Sequence, residues 1–154
     1  MIVYPDTNIY FRPFDDWSNQ RIALEADACL WFWRKVEEKK MQAIDSALIH
    51  VEADKTPKIK YNQAERLLTF IKTKVIFTPD IKKLALSIED KLSLPPYDAL
   101  HVSFAAHGGA DVMLTCDDDI LKKSFFIEAL CRARGCNLTI ANPVQFRDHY
   151  LSFF

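Results

Sequence analysis

No stretch of this sequence approaches the roughly 18 consecutive apolar residues that a membrane span needs. The first residues also run into Asp6 without the basic, apolar and small-residue layout of a secretion signal. The first absence excludes a helical membrane span, and the second sets the expectation of a cytoplasmic protein with no membrane contact. Cys29, Cys116, Cys131 and Cys136 form no CxxC pair, and no His stands at zinc-finger spacing from them, so neither a redox motif nor a structural zinc site is indicated. Reduced, mostly buried thiols are expected, since the four could pair only in an oxidising compartment. Internal repeats, low-complexity tracts and linkers are absent as well. An excess of charge is also lacking. The formal net charge is −1, so no global field draws the chain toward a polyanion. Any attraction to nucleic acid has to be local, through a bound metal or through lysines such as Lys55, Lys58 and Lys60.

What is there is ordinary globular material. With 154 residues, 49% of them hydrophobic and 27% charged, the chain suits one domain spanning 1–154 with its own core. Ile2-Val3-Tyr4 reads as a short buried strand that delivers Pro5-Asp6 into a loop. A polar turn around Asp15-Asp16 precedes a helix over about 18–40, whose apolar positions Ile22, Ala26, Cys29, Leu30 and Trp33 recur at helical spacing. Gln42 to Asp45 reads as a second short strand. Ser46 suits the cap of a short helix through Glu52, and Thr56-Pro57 restarts a helix in cap-then-proline order. Lys74 to Phe77 reads as a third strand. Helices follow from Thr78-Pro79 to about Leu92 and from Pro95-Pro96 to Gly108. Val112 to Thr115 is the clearest strand, followed by a helical start at Asp117, a helix near 127–134 and a last strand at Leu138 to Ile140. The alternation predicts a three-layer α/β domain with a mostly parallel central sheet flanked by helices.

Ligand sites in such sheets gather beyond the carboxyl ends of the strands. Asp6 and Asp117 each stand at such an end, whereas Glu52 and Asp98 stand near helix ends. Each residue alone has a plainer explanation: Asp6 as a turn former with Asn8, Asp98 as a carboxylate at a helix start, Asp117 to Asp119 as a cap with solvated neighbours, Glu52 as a surface residue. Gathered together, they would repel one another and raise one another's pKa unless a cation compensated them. Mg²⁺ and Mn²⁺ suit that need, because both take oxygen ligands and are commonly held by few carboxylates plus substrate phosphate.

Asp6-Thr7-Asn8 after a short strand, Ser46 followed by Glu52, Tyr97-Asp98-Ala99-Leu100-His101, Thr115-Cys116-Asp117-Asp118-Asp119, and Asn142-Pro143 with Phe146 together resemble the PIN-domain family. Within it the chain resembles the VapC-type toxins of bacterial toxin–antitoxin pairs, over nearly its whole length. The resemblance implies a metal-dependent endoribonuclease using Mg²⁺ or Mn²⁺, with Asp6, Glu52, Asp98 and Asp117 as the acidic site. Asp119 is a secondary candidate for a second metal, and Thr115 or Asn8 would orient carboxylates by hydrogen bonds. RNA as substrate and an antitoxin protein as partner follow from the same likeness. A catalytically silent PIN-like interaction module is the alternative. An aspartate-nucleophile phosphatase would also place an Asp after its first strand, but Asn8 stands where that chemistry wants a second carboxylate.

The histidines His50, His101, His107 and His149 show no metalloprotease spacing; His101, one turn after Asp98, is placed to touch the site, with a packing or hydrogen-bonding role as the first expectation. Trp31, Phe32 and Trp33 are too close in sequence to share one helix face, so some of them are expected either to be exposed, as a surface for a homodimer or another partner, or to cover a neighbouring element. Phe153-Phe154 could serve the same end, a frayed terminus being the plainer reading.

Overall fold

The computed structural model describes residues 1–153, so Phe154 and the side chain of Phe153 lie outside the described residues. The chain opens with β1 (Ile2–Pro5), whose Val3 and Tyr4 are fully buried. Its inner position explains the unbroken apolar run, because a parallel strand with neighbours on both edges is covered on both faces. β2 (Gln42–Ala43) pairs with one edge and β5 (Val112–Leu114) with the other, and β6 (Thr139–Ala141) extends the sheet to the order β2-β1-β5-β6, parallel throughout. The expected parallel sheet flanked by helices is what forms.

Two expected strands are cut short. Gln42 to Asp45 is not continuous: Ile44 N still bonds Val3 O at 3.0 Å, but Asp45 N bonds Thr73 O at 3.0 Å. The backbone therefore changes partners within one residue. β3 (Asp45–Ser46) pairs with β4 (Lys74–Val75) in a separate two-stranded sheet, and Ile76 and Phe77, expected as strand, lie beyond it and are exposed.

The start signals read from the sequence hold only in part: Ser46 takes the N-cap of the helix after β3 but makes no capping hydrogen bond, its hydroxyl bonding Tyr4 instead, and the next helix is capped at Pro57 rather than Thr56. α2 (Gln20–Glu37) is capped by Asn19, and α5 (Pro79–Leu92) by Thr78 ahead of Pro79. α3 (Ala47–Asp54) and α4 (Lys58–Phe70) follow β3, and α6 (Pro96–His107) begins at the double proline. α7 (Asp118–Lys122) and α8 (Ser124–Ala133) lie between β5 and β6. Two helices were not legible: α1 (Thr7–Phe11), which runs into a 3-10 turn at Arg12–Phe14, and α9 (Pro143–Tyr150). α6 buries residues on every side, from Ala99 through Ala106, so a carboxylate at its start borders the core.

Of the two outcomes expected for the aromatic triplet on α2, the covering of neighbouring elements is the one that forms. Phe32 and Trp33 are buried, the Trp33 indole donates to Ile9 O at 3.2 Å, and Trp31 packs edge-on against Phe146. Rings at consecutive helical positions are all used because α2 packs against both the 3-10 turn and α9. The four cysteines are unpaired thiols, with Cys136 alone partly exposed. No helix among the described residues is long and apolar enough to cross a membrane.

Gly108, which closes α6, has no room for a side chain. A Cβ there would stand 2.5 Å from Val75 Cγ2 and 2.7 Å from Phe104 O. Gly108→Ala is therefore expected to cost about 1–3 kcal/mol by overpacking. Urea denaturation would show it as a lower midpoint at unchanged slope.

Candidate active site

β1 is the point at which the strand order reverses, with β2 on one side and β5 on the other. A crevice opens at such a point, beyond the carboxyl ends of the strands. Pro5 is in register with Leu114, and Asp6 N donates to Leu114 O at 2.9 Å. Asp6 and the segment Thr115–Asp117 consequently leave the sheet side by side.

Asp6 is 5% exposed and fully engaged. Its Oδ1 accepts from Thr7 N at 2.7 Å, and its Oδ2 from the Thr115 hydroxyl at 2.7 Å and the Asn8 amide at 3.1 Å. The Thr115 oxygen in turn accepts from Asp117 N at 3.0 Å, while Asn8 Oδ1 accepts from Cys116 N at 3.0 Å. The two strand ends are thus laced together through side chains chosen for that purpose, and Thr115 and Asn8 orient Asp6 as expected.

Asp117 caps α7, its Oδ1 accepting from Asp119 N and Ile120 N at 2.9 and 3.1 Å. The cap folds Asp117 over the helix start, toward the crevice. Asp118 and Asp119 are exposed on the first turn, and Asp118 pairs with Arg21 at 2.8 Å. Asp119 is thus not brought into the cavity with the other acids: two residues past the cap, it sits outside the lining.

Glu52, on the last turn of α3, reaches the same crevice and accepts from the Thr7 hydroxyl at 2.6 Å. It also pairs with His101 Nε2, which stands 3.6 Å from Asp6 Oδ1. His101 Nδ1 bonds the Tyr4 hydroxyl at 2.8 Å, and that hydroxyl bonds Ser46 Oγ at 2.8 Å. Tyr4, Ser46 and His101 are all buried. The expected hydrogen-bonding role of His101 is what the structure shows, and through Glu52 it also touches the site, the other reading its position allowed. Two signals in the sequence pointed that way: a position three after Asp98 shares its helix face, and a Tyr inside an apolar strand needs a partner for its hydroxyl.

Asp6, Glu52, Asp98 and Asp117 all line one cavity of ≈ 310 Å³. Burial, then Asp117 and Asp6, push Asp98 up to about 6 from an ordinary 3.8. Burial would raise Glu52, yet the His101 contact outweighs it and its pKa is lowered. Burial likewise pulls His101 down, but Asp6, Glu52 and Asp98 together raise it. Ligand atoms of Asp6, Glu52 and His101 lie within 4.8 Å of one another. A carboxylate-rich donor set, in which, beyond burial, Asp117 and Asp6 raise the proton affinity of Asp98, fits a divalent cation with hard-ligand preference.

The family model for the PIN domain matches residues 3–126. Among solved structures, the chain is similar to VapBC2 from Rickettsia felis bound to a DNA fragment from their promoter. The identity is 18%, the TM-score 0.57, and the match covers 92% of this chain and 98% of that one. Against curated protein sequences, nothing matches.

Proposed function

Since the chain belongs to the PIN domain family, we propose that its acidic cavity is the active site of a metal-dependent endoribonuclease, hydrolysing phosphodiester bonds in RNA. The observation that carries the reading is the convergence of Asp6, Glu52, Asp98 and Asp117, from two strand ends and two helix ends, on one cavity. Asp6, Glu52, Asp98 and Asp117 would hold Mg²⁺ or Mn²⁺, which when bound supplies charge neutralisation and activation of water at the phosphodiester. The chain's own part is orientation. Thr115, Asn8 and Thr7 N fix the Asp6 oxygens, Thr7 and His101 fix Glu52, and the ends of β1 and β5 set their spacing.

The test is cleavage of a labelled RNA with and without metal. Cutting stops in EDTA and returns with Mn²⁺. Cutting that persists in EDTA sinks the proposal.

The fold likeness to a VapBC2 assembly supports a further part of the reading, that the chain acts in the cytoplasm as the toxin of such a pair and is silenced by an antitoxin protein. Expression of the chain alone then arrests bacterial growth. Growth unaffected by a stable, cleavage-competent protein would count against it.

The raised pKa of Asp98 gives a pH dependence. A carboxylate that holds its proton to about 6 must release it to bind metal. Mn²⁺ affinity therefore falls about tenfold from pH 7 to pH 5. For the metal-free fold the sign is the reverse of the usual carboxylate case. Between an ordinary 3.8 and about 6 the folded protein keeps a proton that the unfolded chain has lost, so the Asp98 contribution declines as pH rises through that window. His101, also raised, stabilises below its ordinary 6.5 and loses that effect as pH climbs through its folded value. Glu52, lowered, contributes above its ordinary 4.5 and fails only as pH falls through its folded value. Metal-free protein should melt highest at mildly acidic pH, and Mn²⁺ should move that optimum upward. Thermal melts across pH with and without Mn²⁺ read both signs.

A further inference from the structure

The acidic cavity has a second chemistry at its wall. Arg12, Asp15 and Lys60 line the same space as the four carboxylates. Arg12 and Asp15 come from the 3-10 turn and its end, and Lys60 from the first turn of α4. Arg12 Nη1 donates to Asp15 Oδ2 at 3.0 Å, and Lys60 Nζ donates to the other oxygen, Oδ1. One carboxylate thus gathers two cations, one on each oxygen. Arg12 is anchored from behind, its Nε lying 3.5 Å from Glu25 Oε1 and, though buried, making no hydrogen bond. Lys60 is the freer of the two, with 36% of its side chain exposed, and its ammonium stands 6.0 Å from the centre of the Phe11 ring.

A phosphodiester presents what Asp15 presents: one negative charge spread over two oxygens, able to accept from a guanidinium and an ammonium together. A chain with net charge −1 has no long-range pull on a polyanion, so its grip on a strand has to come from such local cations. We propose that Arg12 and Lys60 form a backbone-phosphate subsite of the RNA strand beside the acidic centre, and that Asp15 is the internal anion that holds them when no strand is bound. The proposal rests on the nuclease reading for its substrate, but it has its own sign. Asp15 competes with the strand for Lys60, so removing its charge tightens binding chiefly while Lys60 is present, whereas losing a carboxylate that merely repels the strand tightens it equally with or without Lys60.

The experiment measures anisotropy of a short fluorescein-labelled oligoribonucleotide of mixed sequence with Mn²⁺ over a range of salt. The protein carries Asp98→Asn so that the strand is not consumed. A single-strand phosphate contact contributes about 0.7 to the slope of log K against log salt, which at 0.1 M corresponds to about fivefold in affinity. Lys60→Ala should weaken binding by about that factor and flatten the slope by about 0.7. Lys60→Arg should keep the parent slope. Asp15→Asn should bind more tightly than the parent with a steeper slope, and most of that gain should be lost when Lys60→Ala is added. An Asp15→Asn protein that melts lower and binds RNA no better overturns the subsite and leaves a cross-link between the turn and α4. Cleavage by the unaltered protein is scored separately. Cutting without this order of affinities removes the subsite alone, and this order without cutting removes the nuclease reading alone.

Discussion

Asp6→Asn is expected to abolish RNA cleavage while leaving the protein folded. Partners that merely orient a metal ligand are worth about 10- to 100-fold in metal affinity or activity. Asp6 stands inside that shell, receiving the hydrogen bonds of Thr7, Asn8 and Thr115, so its loss should cost at least about a hundredfold. The fold should survive for a specific reason. Asp6 shares its cavity with Glu52, Asp98 and Asp117, and the amide replaces the carboxylate at nearly equal volume with its Oδ1 still able to accept from Thr7 N and its Nδ2 able to donate to the Thr115 oxygen. The lost acceptor is the one facing the Asn8 amide, which keeps Thr115 Oγ1 at 3.3 Å, and removing one carboxylate charge from the cavity offsets that loss. Melting of the metal-free variant should be no lower than the parent by more than a few degrees, and the rise in melting temperature on adding Mn²⁺ should vanish. A variant that is well folded, takes up Mn²⁺ as before and cuts RNA at the parent rate would remove Asp6 from the site, and with it the reading of the cavity.

Asp6 was legible because its place follows from two local facts, an apolar strand that ends and a polar residue that comes next. The same holds for Asp117 after β5, and for Asp98 behind the double proline that starts α6. The standing of Asp119 as a secondary candidate beside Asp117 was of a different kind. Sequence alone does not say which of three adjacent aspartates caps a helix, and the cap decides which one turns inward. The break between β2 and β3 was hidden for a related reason. Nothing in Gln42 to Ser46 marks the residue at which the backbone leaves one strand partner for another, since that is set by Thr73, some thirty positions away in sequence. Trp31, Phe32 and Trp33 left exposure and coverage both open because periodicity counts one buried face per helix, whereas α2 is packed on more than one side. The pairing of Arg12 and Lys60 through Asp15 belongs to the same class: three ordinary surface residue types whose meaning comes from α1, the 3-10 turn and α4 meeting at one wall.

Tyr4→Phe tests the part of the site that lies farthest from any substrate. Tyr4 is a positioning residue: its hydroxyl bonds Ser46 on one side and His101 Nδ1 on the other, and His101 Nε2 meets Glu52. A ring nitrogen's proton is set by the bond its opposite nitrogen makes, so the hydroxyl of Tyr4 fixes what His101 offers to Glu52. Burial raises the Tyr4 pKa well above its ordinary value, which keeps that hydroxyl neutral and able to donate. Removing it strands two buried polar groups at a cost of about 1–3 kcal/mol and frees the imidazole to turn. The melting temperature should fall, and Mn²⁺ affinity measured well below it should fall by about 10- to 100-fold. A purely structural hydroxyl would give the first effect without the second. The sharper readout is nitrogen NMR of His101 in the metal-free protein, where the balance between its two tautomers should shift in Tyr4→Phe and much less in Ser46→Ala, which leaves the Tyr4–His101 bond in place. An unchanged imidazole spectrum together with unchanged Mn²⁺ affinity would confine the Tyr4 hydroxyl to holding the core together and leave Glu52 oriented by Thr7 and by a His101 that needs no help from Tyr4.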